Sequence, residues 1–315
     1  MRKPPIITLL PLLIALLVPL PGEAAQLLRI GTNSWLGYEP LYLAAEHEHW
    51  RADLDVRLVE YPSATEVIRA FRNRTLEAAA LTLDEVLTLR EAGIPLKVIA
   101  VLDVSAGADV ILAKPDITTF SDLKGRRVGV ESSALGAFVL TRALALNQME
   151  LADIEIVHLD VSTHLRAFET GAVDAVVTFE PVRTKLLNGG AREVFSSSQI
   201  PGEVVDVLVV HADTLAREHA RFRELLAGWF RALDYLHHER AAAAAFIAHR
   251  LKITPQEVIE SYQELELPDA AQNRRLLSED LPKTLQRLQD TLVSTGLLRQ
   301  VQDTGDLLEN RLLPQ

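Results

Sequence analysis

The sequence contains no cysteine among its 315 residues. This absence excludes disulfide bonds, catalysis by a thiol and metal sites built on cysteine. It also excludes a lipid attached to a cysteine behind an export signal. A protein that is exported with this composition is therefore expected to be soluble rather than anchored through a modified cysteine.

Basic residues are scarce relative to acidic ones. The chain has 32 lysines and arginines against 43 aspartates and glutamates, a formal net charge of -11 at pH 7. Such a surface repels phosphate backbones and anionic lipid headgroups. We therefore expect neither nucleic acid nor a membrane surface as a partner.

The short motifs of several catalytic classes are also missing. The sequence has no H-E-x-x-H, no G-x-S-x-G and no G-x-x-x-x-G-K element. His47 and His49 are two residues apart, so on a helix they would point to different faces and form a poor metal pair. We predict no metal site and no catalytic residue, and we expect the nine histidines to be surface or core residues.

Long apolar runs are confined to the N-terminus. Basic residues are followed by an apolar run from Ile6 to Leu20 and by the small residues Gly22 and Ala24. This pattern predicts a secretory signal at residues 1–24, cleaved at Ala24 or Ala25, and hence a periplasmic protein. An uncleaved anchor is the alternative, but a spanning helix needs about 20 apolar residues, and this run is shorter and contains two prolines.

The rest of the chain alternates between strand and helix patterns. Its hydrophobic content of 48% is enough for one large or two medium cores. Beyond the opening segment, the predicted strands are Leu54–Tyr61, Leu76–Leu83, Leu96–Leu102, Val110–Ala113, Ile154–Leu159, Val173–Thr178 and Val204–Val210. Three helix starts carry capping signals, at Ser63–Glu66, Thr82–Glu85 and Thr254–Glu257.

This order predicts an α/β protein with two lobes and a cleft between them. Each lobe is expected to be a mainly parallel sheet flanked by helices, with the helical C-terminal part packed on the first lobe. We place lobe 1 at residues 25–109 and 208–315, and lobe 2 at residues 110–207. The polar stretch from Asp103 to Asp109 is expected to break the pattern where the chain passes from one lobe to the other.

The stretch Arg29–Trp50 has the pattern of a binding element. An apolar strand runs into a glycine-flanked loop, Gly31–Gly37, and then into a helix. Such a unit brings free helix N–H groups and aromatic side chains to one point. We predict that Trp35, Tyr38 and Glu39 form one wall of a ligand cleft, with core packing as the alternative for the two aromatic residues.

Three motifs resemble those of one protein family. They are W-x-G-Y-E-P-L-Y-L-A at Trp35–Ala44, D-L-K-G-x-x-V-G-V at Asp122–Val130 and G-x-V-D-A-V-V-T-F-E-P at Gly171–Pro181. On these residues the chain resembles the periplasmic substrate-binding proteins of ABC importers, in the nitrate, sulfonate, taurine and thiamine-pyrimidine group with the type II fold. The resemblance implies a monomer without a cofactor that closes on a small solute and presents it to an inner-membrane permease.

The resemblance also implies where ligand contacts lie. In this family they come from loops after strands and from the starts of helices. On this sequence those positions are Trp35, Tyr38, Glu39, Ser63, Thr65, Thr82, Asp84, Asp103, Ser105, Asp109, Ser132, Ser133, Leu135, Glu180 and Asp206.

The charge of these positions departs from what an anion binder needs. Helix N-termini favour anions, and nitrate and sulfonate binders use them. Here the same loops carry several carboxylates and no lysine or arginine. Carboxylates beside a Trp/Tyr pair suit a cationic nitrogen, through ion pairing and cation–π contact. We therefore expect an amine-bearing or nitrogen-rich small organic ligand, with heteroaromatic compounds included.

Other interpretations of the same residues remain open. Asp84, Ser132 and Ser133 could be helix caps only, whereas Glu180 and Asp206 need a partner more clearly. A sulfonate, taurine or nitrate ligand is the alternative within the class. An exported lyase or pyrimidine-processing enzyme on the same fold is the alternative from another class, although the pyrimidine-forming enzymes rely on a cysteine-rich motif. The effector lobe of a transcription regulator lacks the expected N-terminal DNA-binding helices.

Overall fold

The computed structural model describes residues 27–47, 49–51, 54–131 and 135–314. The predicted signal at residues 1–24 and the predicted contacts Ser132 and Ser133 lie outside the described residues. Within the described ranges, no helix is both long and apolar enough to cross a membrane.

The strands form two sheets and are numbered in chain order. The first sheet contains β1 (Leu28–Asn33), β2 (Val56–Tyr61), β3 (Ala78–Thr82) and β4 (Leu96–Ser105), and later in the chain β10 (Val205–His211) and β11 (Leu265–Glu266). The second sheet contains β5 (Val110–Ala113), β6 (Arg127–Val130), β7 (Glu155–His158), β8 (Ala175–Thr178) and β9 (Arg192–Ser196). Their spatial orders are β11-β4-β10-β3-β1-β2 and β7-β6-β8-β5-β9.

Helices cover both sheets. In chain order they are α1 (Glu39–Glu46), α2 (Ala64–Arg72), α3 (Leu83–Glu91), α4 (Leu135–Leu146), α5 (His164–Glu169), α6 (Val182–Asn188), α7 (Ala212–His238), α8 (Arg240–Leu251), α9 (Pro255–Ser261), α10 (Ala270–Arg275) and α11 (Leu281–Ser294). The C-terminal helices pack on the first lobe, since α7 contacts α1, β4 and β10, and α11 contacts α3. The predicted two-lobed α/β architecture is confirmed.

Both sheets are mixed rather than mainly parallel as predicted, since each combines parallel and antiparallel pairs. In the first, β1 is parallel to β2 and β3, whereas β10 is antiparallel to β3 and β4. In the second, β6 is parallel to β7 and β8, whereas β5 is antiparallel to β8 and β9. β5 and β10 are the strands that arrive from the other lobe, and each is antiparallel to both of its neighbours.

Local sequence signals account for many element boundaries. Ser63 accepts the Glu66 N–H at 3.4 Å, and the Glu85 carboxylate accepts the Thr82 N–H at 3.0 Å, so α2 and α3 begin where the sequence predicts. The sequence prediction ended the fourth strand at Leu102, whereas β4 continues to Ser105. The polar residues at this end of β4 stay in the sheet because buried partners bind their side chains. Neither β9 nor the two-residue β11 was predicted from the sequence.

The division of the chain between the lobes, drawn at residues 109/110 and 207/208, stays a prediction. The return strand β10 begins at Val205 and pairs on both sides within the first sheet. β3 and β10 are buried along their whole lengths. Strands covered on both faces have nearly continuous apolar sequences, and Asp206 is the charged exception in β10.

Candidate functional site

Three neighbouring strands bring polar side chains together at the cleft edge of the first sheet. Asp206, near the start of β10, pairs in register with Thr82 at the end of β3 and with Asp103 near the end of β4. This row forms because β10 runs opposite to its two neighbours, so its first residues meet their last ones. All three residues are buried.

The loop after β1 adds two aromatic side chains that donate hydrogen bonds to this row. The indole N–H of Trp35 donates to Asp103 Oδ2 at 3.1 Å, and the hydroxyl of Tyr38 donates to Asp206 Oδ1. Gly37 lies between the two aromatic residues. A Cβ atom at this position would lie 1.8 Å from Asp103 Oδ2 and 2.6 Å from Trp35 Nε1. The close approach of the loop to Asp103 therefore requires glycine.

These groups form one wall of a narrow cleft whose other wall belongs to the second lobe. The lining residues are Asn33, Trp35, Tyr38, Ala64, Thr82, Glu85, Asp109, Glu131, Leu135, Gly136, Val139, Val161, His164, Val177, Thr178, Phe179 and Asp206. The cavity between the walls has a volume of about 30 Å³. Since one water needs roughly 10–15 Å³, this space holds only a few water molecules, and the lobes must separate before a ligand can enter.

Several contacts join the lobes, and two of them close the cleft beside Trp35 and at the start of α2. The ring of Trp35 meets the ring of Phe179 edge to face, with centroids 5.5 Å apart and planes at 90°. Glu131, which follows β6, accepts hydrogen bonds from the backbone N–H of Thr65 at 3.2 Å and from the Thr65 hydroxyl. The structure therefore represents a closed arrangement of the lobes.

Carboxyl groups dominate the electrostatics of the cleft. Asp109, Asp206, Glu85 and Glu131 line it, and Asp103 lies directly behind Trp35. Among the lining residues that the structure describes, none is lysine or arginine. The neighbouring stretch 132–134, outside the described residues, has the uncharged sequence Ser-Ser-Ala. The cleft therefore has an excess of acidic groups without an internal counterion.

Burial changes the acidity of these carboxyl groups. It raises the pKa of Asp109 to about 7. Burial, followed by repulsion from Asp103, raises the pKa of Asp206 well above its ordinary value. The pKa of Asp103 is also raised, mainly by burial. Two buried carboxyl groups on adjacent strands cannot both ionise without a cation nearby, so the pair retains a proton at neutral pH in the absence of ligand.

Three residues that line the cleft carry a buried polar atom with no hydrogen-bond partner among the described residues. The atoms are Thr82 Oγ1, Asp109 Oδ2 and His164 Nε2, on residues that are 4%, 2% and 1% exposed. Buried polar atoms are nearly always hydrogen-bonded in folded proteins, because leaving one unpaired costs about 1–3 kcal/mol. Unpaired atoms on opposite lobes of one cleft are therefore candidates for ligand contacts.

The structure brings six of the predicted site residues to the lining of the cleft. They are Trp35, Tyr38, Thr82, Asp109, Leu135 and Asp206. Asp103 and Ser105 lie just behind it. Asp103 accepts from Trp35, and the Ser105 hydroxyl pairs with Ser197 at 2.7 Å and accepts the Asp109 N–H at 3.3 Å.

Two predicted acids lie away from this lining and have other partners. Glu39 is bound by Arg250 of α8, with Arg250 Nε 2.8 Å from Glu39 Oε2. Glu180 accepts hydrogen bonds from the N–H and hydroxyl of Thr184, at 3.2 and 3.0 Å, and pairs with Arg183 at 3.3 Å. Glu39 therefore ties α1 to the C-terminal helices, and Glu180 stabilises the first turn of α6.

The remaining predicted residues sit at helix starts. Asp84 is buried in the first turn of α3. Ser63 caps α2, and together with Thr65 it borders a shallow groove beside the cleft. These positions agree with the capping interpretation that the sequence left open. A ligand contact by any of them stays a prediction.

Several lining residues were not among the predicted contacts. Glu85 was assigned mainly to the capping pair at the start of α3, and Glu131 was counted only among the loop acids. His164 and Phe179 were missed, the first because all histidines were assigned to surface or core. The position of Phe179 inside the T-F-E-P motif could have indicated it, whereas nothing in the sequence around His164 distinguishes it. In the described ranges, no group of three His, Asp or Glu side chains is arranged to hold a metal ion.

Comparison with known proteins identifies the family. Residues 22–252 match the model of the NMT1-like family. Over 301 residues the chain is 25% identical to an Escherichia coli (strain K12) protein assigned as an aliphatic sulfonates-binding protein, covering 93% of this chain and 87% of that protein.

Solved structures share the fold. The alkanesulfonate-binding protein SsuA of Xanthomonas axonopodis pv. citri, bound to MOPS, has a TM-score of 0.72 at 19% identity, over 91% of this chain and 94% of that one. The ligand-binding component of an ABC-type import system from Staphylococcus aureus has a TM-score of 0.77 at 12% identity, over 91% and 97%. The desulfurization enzyme DszB also has the fold, with a TM-score of 0.68 at 17% identity, over 90% and 96%. The chain therefore belongs to the NMT1-like family and has the two-lobed fold of the periplasmic substrate-binding proteins.

Proposed function

We propose that this protein is the periplasmic solute-binding component of an ABC importer, and that it captures an amine-bearing or nitrogen-rich small organic molecule between its lobes. The observation that carries the proposal is the group of buried carboxyl groups in the cleft, which has no lysine or arginine among the described lining residues. A cationic ligand would supply the missing counterion.

The chemistry of the wall on the first lobe suits such a ligand. An ammonium group near Asp206, Asp109 and Glu85 would favour their ionised forms, because attraction between opposite charges is strong where water is excluded. The faces of Trp35 and Tyr38 can add cation–π attraction of about 0.5–2 kcal/mol. A flat heteroaromatic amine would use both features.

The helix starts around the cleft argue against an anionic ligand. The carboxylate of Glu85 already accepts the Thr82 N–H at the start of α3 and lies 3.4 Å from the Leu135 N–H at the start of α4. The carboxylate of Glu131 accepts the Thr65 N–H in the first turn of α2. Side chains of the protein therefore occupy the positions where a sulfonate would find its donors.

A sulfonate, taurine or nitrate ligand is the second candidate. It is supported by the name of the E. coli relative and by the fold shared with SsuA. It would require Glu85 and Glu131 to move or to be protonated, and burial favours protonation because it raises the pKa of Glu85 to about 8 and also raises the pKa of Glu131. Low pH would then strengthen binding, whereas an amine would bind more tightly as the pH rises and the carboxyl groups ionise.

Binding would be coupled to closure of the lobes. A ligand that contacts both walls favours the closed state by its differential affinity, and the contact between Glu131 and Thr65 would then stabilise it. We expect the protein to act as a monomer that delivers its ligand to an inner-membrane permease, without a cofactor and without altering the ligand.

A matched pair of ligands tests the proposal. Mature protein is titrated calorimetrically with benzylamine and with benzenesulfonate, which share a ring and differ in charge, and thermal shifts are recorded in parallel. We expect binding and stabilisation by benzylamine alone. Stabilisation by benzenesulfonate, taurine or nitrate but by no amine would contradict the proposal. Mass spectrometry of each ligand after incubation tests the enzyme alternative, because a binding protein returns its ligand unchanged.

A further inference from the structure

We propose that His164 of the second lobe determines specificity by donating a hydrogen bond from Nε2 to the bound ligand. The ligand would then carry two recognition groups, a cationic nitrogen facing the acids of the first lobe and a hydrogen-bond acceptor, such as a ring nitrogen or a carbonyl, facing His164. This inference rests on the proposed function and extends it to the class of solute.

The position of His164 supports this role. It is the first residue of α5, is 1% exposed and lines the cleft beside Thr178 and Phe179. Its Nδ1 lies 3.3 Å from Thr178 Oγ1, whereas its Nε2 has no partner among the described residues. The ring is therefore held at one nitrogen while the other is left available to a molecule in the cleft.

A second buried histidine provides a comparison. His211 also has one ring nitrogen without a partner among the described residues. Its ring is stacked on Phe71, with centroids 3.9 Å apart and planes at 3°, and its Nε2 lies 3.0 Å from the carbonyl oxygen of Phe71. His211 does not line the cleft, so packing accounts for its burial. His164 differs because it borders the site.

The polarity of the cleft indicates that Nε2 of His164 is a donor. The carboxyl groups of the first lobe accept hydrogen bonds once a cation is bound, and the donors of Trp35 and Tyr38 are already used by Asp103 and Asp206. An acceptor atom on the ligand can find its donor on the opposite wall, where Nε2 of His164 has no partner among the described residues. The Thr178 hydroxyl can donate to Nδ1 of His164, which leaves the proton on Nε2. Burial lowers the pKa of this imidazole to about 4, so the ring is neutral at pH 7.

The test is a cycle of two ligands and two proteins. Benzylamine and the 3- and 4-(aminomethyl)pyridines have nearly the same shape and differ by one ring nitrogen. We expect the wild-type protein to bind the better-placed pyridine isomer about tenfold more tightly than benzylamine, the effect of one hydrogen bond in a buried site. His164→Phe should abolish this preference, so that both ligands bind about equally, while benzylamine affinity stays nearly unchanged.

Two further variants separate recognition from folding. His164→Gln keeps an amide donor and should retain part of the preference for the pyridine. His211→Phe changes the comparison histidine and should leave the preference intact, whatever its effect on the melting temperature. If His164→Phe weakens all amine ligands equally along with a lower melting temperature, the residue is structural and the inference is overturned.

The outcomes also separate this inference from the proposed function. If the wild-type protein binds benzylamine and both pyridines equally, His164 recognises no acceptor, while the cation-binding function stands. If no amine binds, the proposed function fails and the inference fails with it. A preference for the pyridine that survives in His164→Phe would assign the donor to another residue and would likewise overturn the inference.

Discussion

The indole N–H of Trp35 donates to Asp103 Oδ2 at 3.1 Å, which joins the loop after the first strand to the end of the fourth. The bond holds the indole between a buried carboxyl group and Phe179 of the other lobe. Trp35 is therefore bonded to a strand of the first sheet and is also part of the cleft wall. The two interpretations that the sequence left open, core packing and ligand contact, are compatible at this residue.

Replacing Gly37 tests this arrangement. Gly37→Ala would push a methyl group against Asp103 and Trp35, so we expect the hydrogen bond between them to break. The loss should lower the free energy of unfolding by about 1–3 kcal/mol and weaken benzylamine binding about tenfold or more. Urea unfolding and calorimetry measure the two effects. Gly305→Ala, at an exposed glycine with ordinary backbone angles, should change neither the stability nor the affinity. Equal effects of both substitutions would show that the lack of space for a Cβ atom at Gly37 does not cause them.

The stability of the ligand-free protein should fall as the pH rises. The pKa of Asp109 is raised to about 7 by burial, and the pKa values of Asp103 and Asp206 are raised as well. Between about pH 4 and pH 8 these three groups therefore hold more protons in the folded protein than in the unfolded chain, so the stability that they confer at low pH is lost as the pH rises through their folded pKa values. For each additional proton that the folded protein binds, the free energy of unfolding falls by about 1.4 kcal/mol per pH unit.

Urea unfolding at pH 5, 7 and 9 measures this dependence. Asp109→Asn should flatten it, since the amide does not titrate. Saturating benzylamine should reduce the loss of stability at high pH, because the cation compensates the ionised carboxyl groups. A stability that rises steadily from pH 5 to pH 9 in the ligand-free protein would contradict the assignment of raised pKa values.

Asp206 and Glu180 should respond differently to neutralisation. Both are buried acids next to strand ends, and both were predicted from the sequence to contact the ligand. Asp206 lines the cleft, whereas Glu180 binds Arg183 and Thr184 of its own helix. Asp206→Asn should therefore weaken benzylamine binding about tenfold or more. Glu180→Gln should leave the affinity within about twofold and lower the free energy of unfolding by about 1–2 kcal/mol. Isothermal titration measures the affinity of both variants, and urea unfolding measures their stability. A large loss of affinity in Glu180→Gln would support its predicted role as a ligand contact.

The fold was predictable from sequence because its signals are local. Alternating and continuous apolar runs mark most strands, and the capping pairs at Ser63 and Thr82 mark helix starts within one residue. β9 escaped because its exposed residues Arg192 and Glu193 break the apolar run. Local patterns of this kind give element type and order.

The site was only partly predictable because it depends on distant pairings. The row formed by Thr82, Asp206 and Asp103 exists only through the register of β10 between β3 and β4. The partner of Glu39 is Arg250, far along the chain, so the sequence around Glu39 could not show that its carboxyl group already has a partner. Local sequence indicates which side chains are polar, whereas tertiary pairing decides which of them remain available to a ligand.

The contact between Glu131 and Thr65 should control closure of the lobes. Glu131 of the second lobe accepts two hydrogen bonds from the first turn of α2, and a carboxylate there also interacts favourably with the helix dipole. Glu131→Ala removes both bonds and should shift the equilibrium between closed and open lobes toward the open state by about tenfold, the equivalent of one charge-assisted hydrogen bond. Small-angle X-ray scattering of the ligand-free variant should show a larger radius of gyration than that of the wild-type protein.

Two control variants accompany this measurement. Thr65→Val, which removes only the hydroxyl, should have a smaller effect in the same direction. Glu155→Ala, which removes an exposed acid of the second lobe, should have none. Because the measurement needs no ligand, it tests the contact independently of what the cleft binds; identical scattering from Glu131→Ala and wild type would show that the contact does not hold the lobes closed.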